Sequence, residues 1–307
     1  MKNVITMKSL SSAMVAGILM LTSCSKNNDV LNSGDTQNVN SESVSDSYTS
    51  ETSDMGTSVV SNISPTRYGS GRVDGAVTGL GDKDSRLTGA TVTITPANGS
   101  TKDNPNGVIT IDFGADGKTT NGILRKGKIL IYYSGRKNIA QSYRELHYDG
   151  YSRNSVVFDN NMVFRNTYTA GTVNSPDSTH LNHSLTLGKL TFPDGTTILR
   201  EADYNVTLDY SAKTLTLSAD TSPNAKLHSA TGTTRAGKEY TMDITSPLVY
   251  KTECLATKVY IAVSGEKTIT AGLVAYKINY GDGVCDNTVT ITVGGKSATI
   301  TVNGEGN

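Results

Sequence analysis

The chain lacks tryptophan and has only four phenylalanines and three cysteines among its 307 residues. Any sugar-stacking platform would therefore have to rest on the 15 tyrosines. Lys and Arg together number 28, as do Asp and Glu, so the formal net charge is zero. A dedicated nucleic-acid binder would show a basic excess, and no nucleic-acid partner is expected. The residues that helices favour, Ala, Leu and Glu, are scarce. Catalytic signatures are missing too: there is no G-x-S-x-G elbow, H-E-x-x-H helix, P-loop or dinucleotide fingerprint. Gly69-Ser70-Gly71 lacks the elbow spacing, and Gly79 and Gly81 precede no helical pattern. No catalytic residue, cofactor or metal is expected, although the carboxylate pair of a glycoside hydrolase leaves no local trace. What is present is Ser, Thr, Val, Ile and Tyr with 30 Gly, the mix of an all-β secreted protein.

The first 23 residues read as a lipoprotein signal peptide. Lys2 and Lys8 supply the positive start, and the apolar stretch Leu10–Leu21 is too short to span a bilayer. It runs into Leu21-Thr22-Ser23-Cys24, which fits a bacterial lipobox, so Cys24 is expected to carry acyl chains, palmitate among them, that hold the protein on a membrane. The alternative is an ordinary signal peptide with a chance cysteine. Residues 24–65 read as the lipidated cysteine and a flexible tether. They are dense in Ser, Asn and Thr, and Asp29, Asp35, Glu42, Asp46, Glu51 and Asp54 face a single Lys26. Such composition offers little apolar surface to offset ordering. A coil of this length, about 40 residues, spans on the order of 35 Å.

From residue 66 to 307 the pattern is period-two alternation broken by turn residues. Strand-like runs are Thr91–Thr95, Val108–Phe113, Lys128–Tyr133, Ser184–Phe192, Asn205–Tyr210, Lys213–Leu217, Thr257–Val263, Thr288–Val293 and Ser297–Val302. Pro193-Asp194-Gly195 and Gly294-Gly295 are hairpin turns. The best helical window, Ile139–Leu146, is short and suits a strand equally. An internal echo stands out. Val108–Gly117 and Ala275–Gly283 each end a strand with Asp or Asn, an aromatic and a Gly/Asp turn, and each has alternating runs before and after it. The expectation is an antiparallel β-sandwich-like fold with two related β units flanking a middle β region. One division into two units places them at about 66–170 and 171–307.

Several strings carry a wider resemblance: Ile111-Asp112-Phe113-Gly114, Arg125-Lys126-Gly127-Lys128-Ile129, Val157-Phe158-Asp159-Asn160, Phe192-Pro193-Asp194-Gly195-Thr196, and Tyr280 to Asp286. With the lipobox, they resemble a group of uncharacterised Bacteroidetes lipoproteins. The resemblance spans most of the chain. It implies a Gram-negative envelope lipoprotein with an all-β exterior domain, on the cell surface or the periplasmic face of the outer membrane, and brings no activity with it.

After Cys24, Cys254 and Cys285 form an even pair, most simply a disulfide in an exported protein; two free thiols are the alternative. His180 and His183 follow Asp177 in what reads as a solvated loop, and ligation of a metal there is the sharper alternative. Asp177-Ser178-Thr179 resembles a bacterial O-glycosylation acceptor, with Ser178 as the modified residue. The acidic turns at Asp112 and Asp116 and at Asp282 and Asp286 do not follow the calcium-loop spacing, and Asp in turns usually bonds its own backbone. Tyr132, Tyr133, Tyr143, Tyr148 and Tyr151 form a possible ligand-stacking cluster, set against half-buried packing. The function expected is a non-enzymatic extracytoplasmic binding module for glycan or protein. A structural or adhesive envelope subunit is the alternative, and a hydrolase stands behind both.

Overall fold

The structure, a computed structural model, describes residues 33–62, 77, 79–136, 139–170, 178–257, 259 and 261–301. A helix, α1 (Ser33–Asn62), precedes sixteen strands: β1 (Thr91–Pro96), β2 (Asn106–Asp112), β3 (Lys118–Thr120), β4 (Ile123–Ser134), β5 (Tyr143–Arg153), β6 (Val156–Phe158), β7 (Val163–Ala170), β8 (Ser178–Thr191), β9 (Thr197–Asp209), β10 (Thr214–Ala219), β11 (Ala230–Thr233), β12 (Glu239–Lys251), β13 (Ser264–Ala271), β14 (Val274–Asp282), β15 (Thr288–Val293) and β16 (Lys296–Thr301). They form one 16-stranded sheet in the order β1-β2-β4-β5-β6-β8-β9-β10-β12-β13-β14-β15-β16. In addition, β3 lies on β4, β7 joins β5 to β8, and β11 joins β9 to β12. Every pairing is antiparallel. The fold is thus all-β and sandwich-like, as the alternation demands. The sheet is continuous from β7 into β8.

Alternation decides which side chains enter the core. In β2, Ile109 and Ile111 are buried and Val108 and Thr110 lie toward the other face; β15 repeats this with Val289 and Ile291. The echo is structural. In the first copy the Gly114 amide donates to Asp112 Oδ1 at 2.7 Å, and in the second the Gly281 amide donates to Asn279 Oδ1 at 2.9 Å. Both glycines adopt positive φ, 75° and 90°, the conformation such a turn needs. The aromatic that follows each polar residue, Phe113 or Tyr280, enters the core. Gly294 and Gly295 both have positive φ and close the β15–β16 hairpin.

Two stretches differ from the sequence expectation, and a third resolves an open one. Among the described residues of Thr257–Val263 none lies in a strand: Thr252–Thr257 is a 3-10 turn, and strand pairing begins only at Ser264. Of the two readings of Ile139–Leu146, the strand holds from Tyr143, where β5 begins. The largest difference is α1, a helix of 30 residues where a flexible tether was expected. Val39, Tyr48, Met55 and Val59 of α1 are buried, and so are Ser41, Glu42, Ser45, Ser47, Thr49, Glu51, Thr52 and Ser58. Side chains of β4, β5, β6, β9 and β13 all reach it, so the inner face of the sheet wraps the helix. Tertiary contacts override weak propensity here. The Thr49 and Thr52 hydroxyls donate back to the Ser45 and Thr49 carbonyls, so the helix's own backbone satisfies part of its buried polar surface. Residues 24–32 of the expected tether, like Cys24 and the signal peptide, lie outside the described residues.

Candidate functional site

Two charge clusters inside the sheet hold α1. Near its C-terminal half, Glu51 pairs with Arg125 of β4 and, at 2.6 Å, with Arg153 of β5. Those arginines are direct cross-strand partners, so one carboxylate caps two adjacent cations. Arg153 also lies 4.6 Å over the Tyr48 ring. Near the N-terminal half, Arg200 of β9 lies 3.3 Å from Glu42 and 2.9 Å from Asp46, while Lys267 of β13 lies 2.9 Å from Glu42. Arg200 has room to reach them because its partners on both flanking strands are glycines, Gly188 on β8 and Gly232 on β11. A Cβ on Gly188 would sit 2.3 Å from the Arg200 carbonyl, and one on Gly232 2.0 Å from that of Leu199. Lys267 and Arg200 hold the Glu42 carboxyl below the usual range, overcoming the desolvation that opposes its charge. These cations and carboxylates are committed to each other and face the core, so they offer a substrate no open titrating group.

The residues singled out by sequence fall into different places. Tyr133, Tyr148 and Tyr151 are buried, whereas Tyr132 is 40% exposed. Tyr148, Tyr151 and Phe158 pack ring against ring, and Tyr148 shares a 2.7 Å hydrogen bond with Thr52 of α1. Tyr132 sits edge-on to His147, and Tyr143 lies under Arg165. The five tyrosines therefore make no common platform, because consecutive strand residues point to opposite faces. His180 and His183 lie within β8, not in a loop. Three residues apart on a strand they also diverge. His180 bonds Ser178 and Thr207, while His183 lies between the Phe164 and Tyr204 rings, where burial pushes its pKa down to about 3. Ser178 opens β8, and Asp177 lies outside the described residues. Cys254 and Cys285 form the disulfide, with Cα atoms 5.1 Å apart.

Sequence reasoning missed a groove of about 1,300 Å³ on the outer face of the sheet. It crosses β8, β9, β11, β12 and β13 near their turns, and its lining is mainly apolar. Leu187, Leu199, Leu273 and Val274 frame it, and all four are exposed, Leu273 completely. The hydroxyl-bearing Thr231, Thr233, Thr241 and Thr270 line it too. Leu187 has φ of 51°, a left-handed backbone rare for a leucine, at a break in the β8–β9 register between Leu185 and Gly188. A strained backbone that turns an apolar side chain to solvent is an arrangement that recurs at binding sites. The signal in the sequence was slight, since the three leucines and the valine are scattered over β8, β9, the β13–β14 turn and β14. No family model, curated protein or solved structure matches the chain.

Proposed function

We propose that the protein is a lipid-anchored, extracytoplasmic binding module, held at the bacterial outer membrane through Cys24, with the outer-face groove as its ligand site. The groove carries the reading: exposed apolar side chains frame an open concavity, as ligand sites do. The disulfide supports an oxidising compartment. Among the two ligand classes expected from sequence, a stacked glycan loses its support because the tyrosine cluster divides between two faces. An apolar ligand, or an apolar segment of a protein, suits the lining. The ion-paired, core-facing clamps support a module that does no chemistry.

Titration with the apolar dye anilinonaphthalene sulfonate tests the site. Saturable binding to the native protein should weaken at least tenfold in Leu199→Asp/Leu273→Asp with the melting temperature unchanged; equal binding by that variant would refute the groove. The anchor is read separately, by incorporation of labelled palmitate that Cys24→Ala abolishes.

A further inference from the structure

The course of α1 sets the groove's distance from Cys24. Its N-terminal half reaches the β11–β12 turn, where the Arg235 amide donates to Ser41 Oγ at 3.3 Å. The Arg235 side chain in turn bonds Thr196 and Asp194 in the β8–β9 turn and lies over the Phe192 ring. These turns mark one end of the sheet, and the groove lies at that same end. Thr233, Lys238 and Glu239 flank the β11–β12 turn, Lys189 and Leu199 flank the β8–β9 turn, and Leu273 tips the β13–β14 turn. The β13–β14 turn neighbours the start of β12 because Ala271 pairs with Tyr240.

Chain length supplies the second half of the argument, which rests on the lipid-anchor reading above. Cys24 lies nine residues before Ser33, where α1 begins, and nine extended residues span at most about 30 Å. From Ser33 to Ser41 the helix advances a further 12 Å or so, about 1.5 Å per residue. A protein lipidated at Cys24 thus keeps the turn end of its sheet, where the groove lies, within about 40 Å of the bilayer. With α1 docked, nine residues separate Cys24 from the start of the helix, against the tether of about 40 expected from sequence.

The geometry points to a membrane lipid as the occupant: the groove receives an acyl chain of a lipid drawn from the bilayer to which the protein is anchored. The lining fits, with leucines and a valine at the rim and threonine hydroxyls beside them. Charge plays a small part, because most basic groups around the site are already paired: Lys189 with Asp159, Lys226 with Glu201, Arg235 with Asp194. Lys238 and Glu239 are chain neighbours of opposite sign at the mouth. Recognition is therefore of the acyl portion, insensitive to headgroup charge and to salt.

The test uses the full lipidated chain reconstituted into phosphatidylcholine vesicles that contain a lipid with a photoactivatable acyl chain. After irradiation, mass mapping should place cross-links on peptides containing Leu187, Leu199 and Leu273, at a yield unchanged by added salt. Leu199→Asp/Leu273→Asp should lower that yield at least tenfold while keeping the disulfide and the melting temperature. Cross-links confined to the peptide bearing Cys24, or undiminished in the variant, would overturn the proposal. Saturable dye binding without groove cross-links would sink the lipid and leave the groove as a site. Absence of palmitate on Cys24 would sink the anchor, and the distance argument with it.

Discussion

The two clusters that hold α1 solve the same problem with different charge arithmetic. At the Glu51 cluster one carboxylate meets two arginines on neighbouring strands of the first half of the sheet. At the Glu42 cluster two carboxylates, Glu42 and Asp46, meet Arg200 and Lys267 from strands farther apart. The first therefore has a redundant cation and the second has none. Each buried ion must be matched or it destabilises the fold, since transfer from water costs several kcal/mol per ion. The arrangement thus sets the register of α1 against the sheet more than it adds net stability.

Removing one cation from each cluster exposes the difference. Arg200→Met leaves Asp46 without its 2.9 Å partner and Glu42 with Lys267 alone, and should cost about 3–5 kcal/mol. Arg125→Met leaves Glu51 with Arg153 at 2.6 Å, and should cost about 2 kcal/mol. Urea unfolding with the disulfide intact measures both. Equal losses would show that Glu51 needs both arginines and that the redundancy is only apparent.

The disulfide marks a second asymmetry. Cys254 and Cys285 join the 3-10 turn after β12 to the β14–β15 connection, 31 residues apart in sequence, and the first copy of the echo has no counterpart. In the chain-entropy account such a loop stabilises by about 3 kcal/mol. Reduction should therefore lower the melting temperature and raise amide exchange in β13–β16 while β1–β5 keep their protection. Uniform loss across the sheet would mean that the two ends unfold as one unit and that the staple is not local.

Much of the β architecture was legible because alternation and turn chemistry are local signals. Thr288–Val293 is β15 residue for residue, and the Gly294-Gly295 hairpin and the Asp112/Asn279 turns lie where the residues place them. The helix was not legible because the usual signal is one apolar stripe, whereas α1 buries serines, threonines and glutamates on several sides. In composition a polar core helix and a disordered tether look alike. One trace was available: Arg200 shares parity with the inward residues Ile198, Ala202 and Tyr204, as Lys267 does with Ile269 and Ala271. A cation on the apolar face of a strand calls for a buried anion, and the acidic stretch before residue 65 held it. The groove resisted for another reason, since it arises from the curvature of a sheet and the ends of distant strands.

Asp54 tests whether the first cluster is as unbalanced as it looks. Burial, with Asp84 and Glu51 nearby, pushes its carboxyl well above the usual range against the pull of Arg86, and its Oδ2 has no hydrogen-bond partner. A carboxyl whose folded pKa is raised binds more protons folded than unfolded. Its favourable contribution is present below the ordinary carboxylate range and is lost as pH rises through the raised value. Asp54→Asn removes that loss, so the variant should match the native protein at low pH and exceed it by about 1 kcal/mol at neutral pH. Asp46→Asn should shift stability in the same direction but by less, because burial raises the Asp46 carboxyl too while the ion pair to Arg200 at 2.9 Å opposes that rise. Unfolding free energies of both variants across acid to neutral pH decide the matter. If Asp54→Asn instead destabilises at neutral pH, Asp54 is ionised there, and the first cluster would be a second balanced set of two carboxylates against two cations.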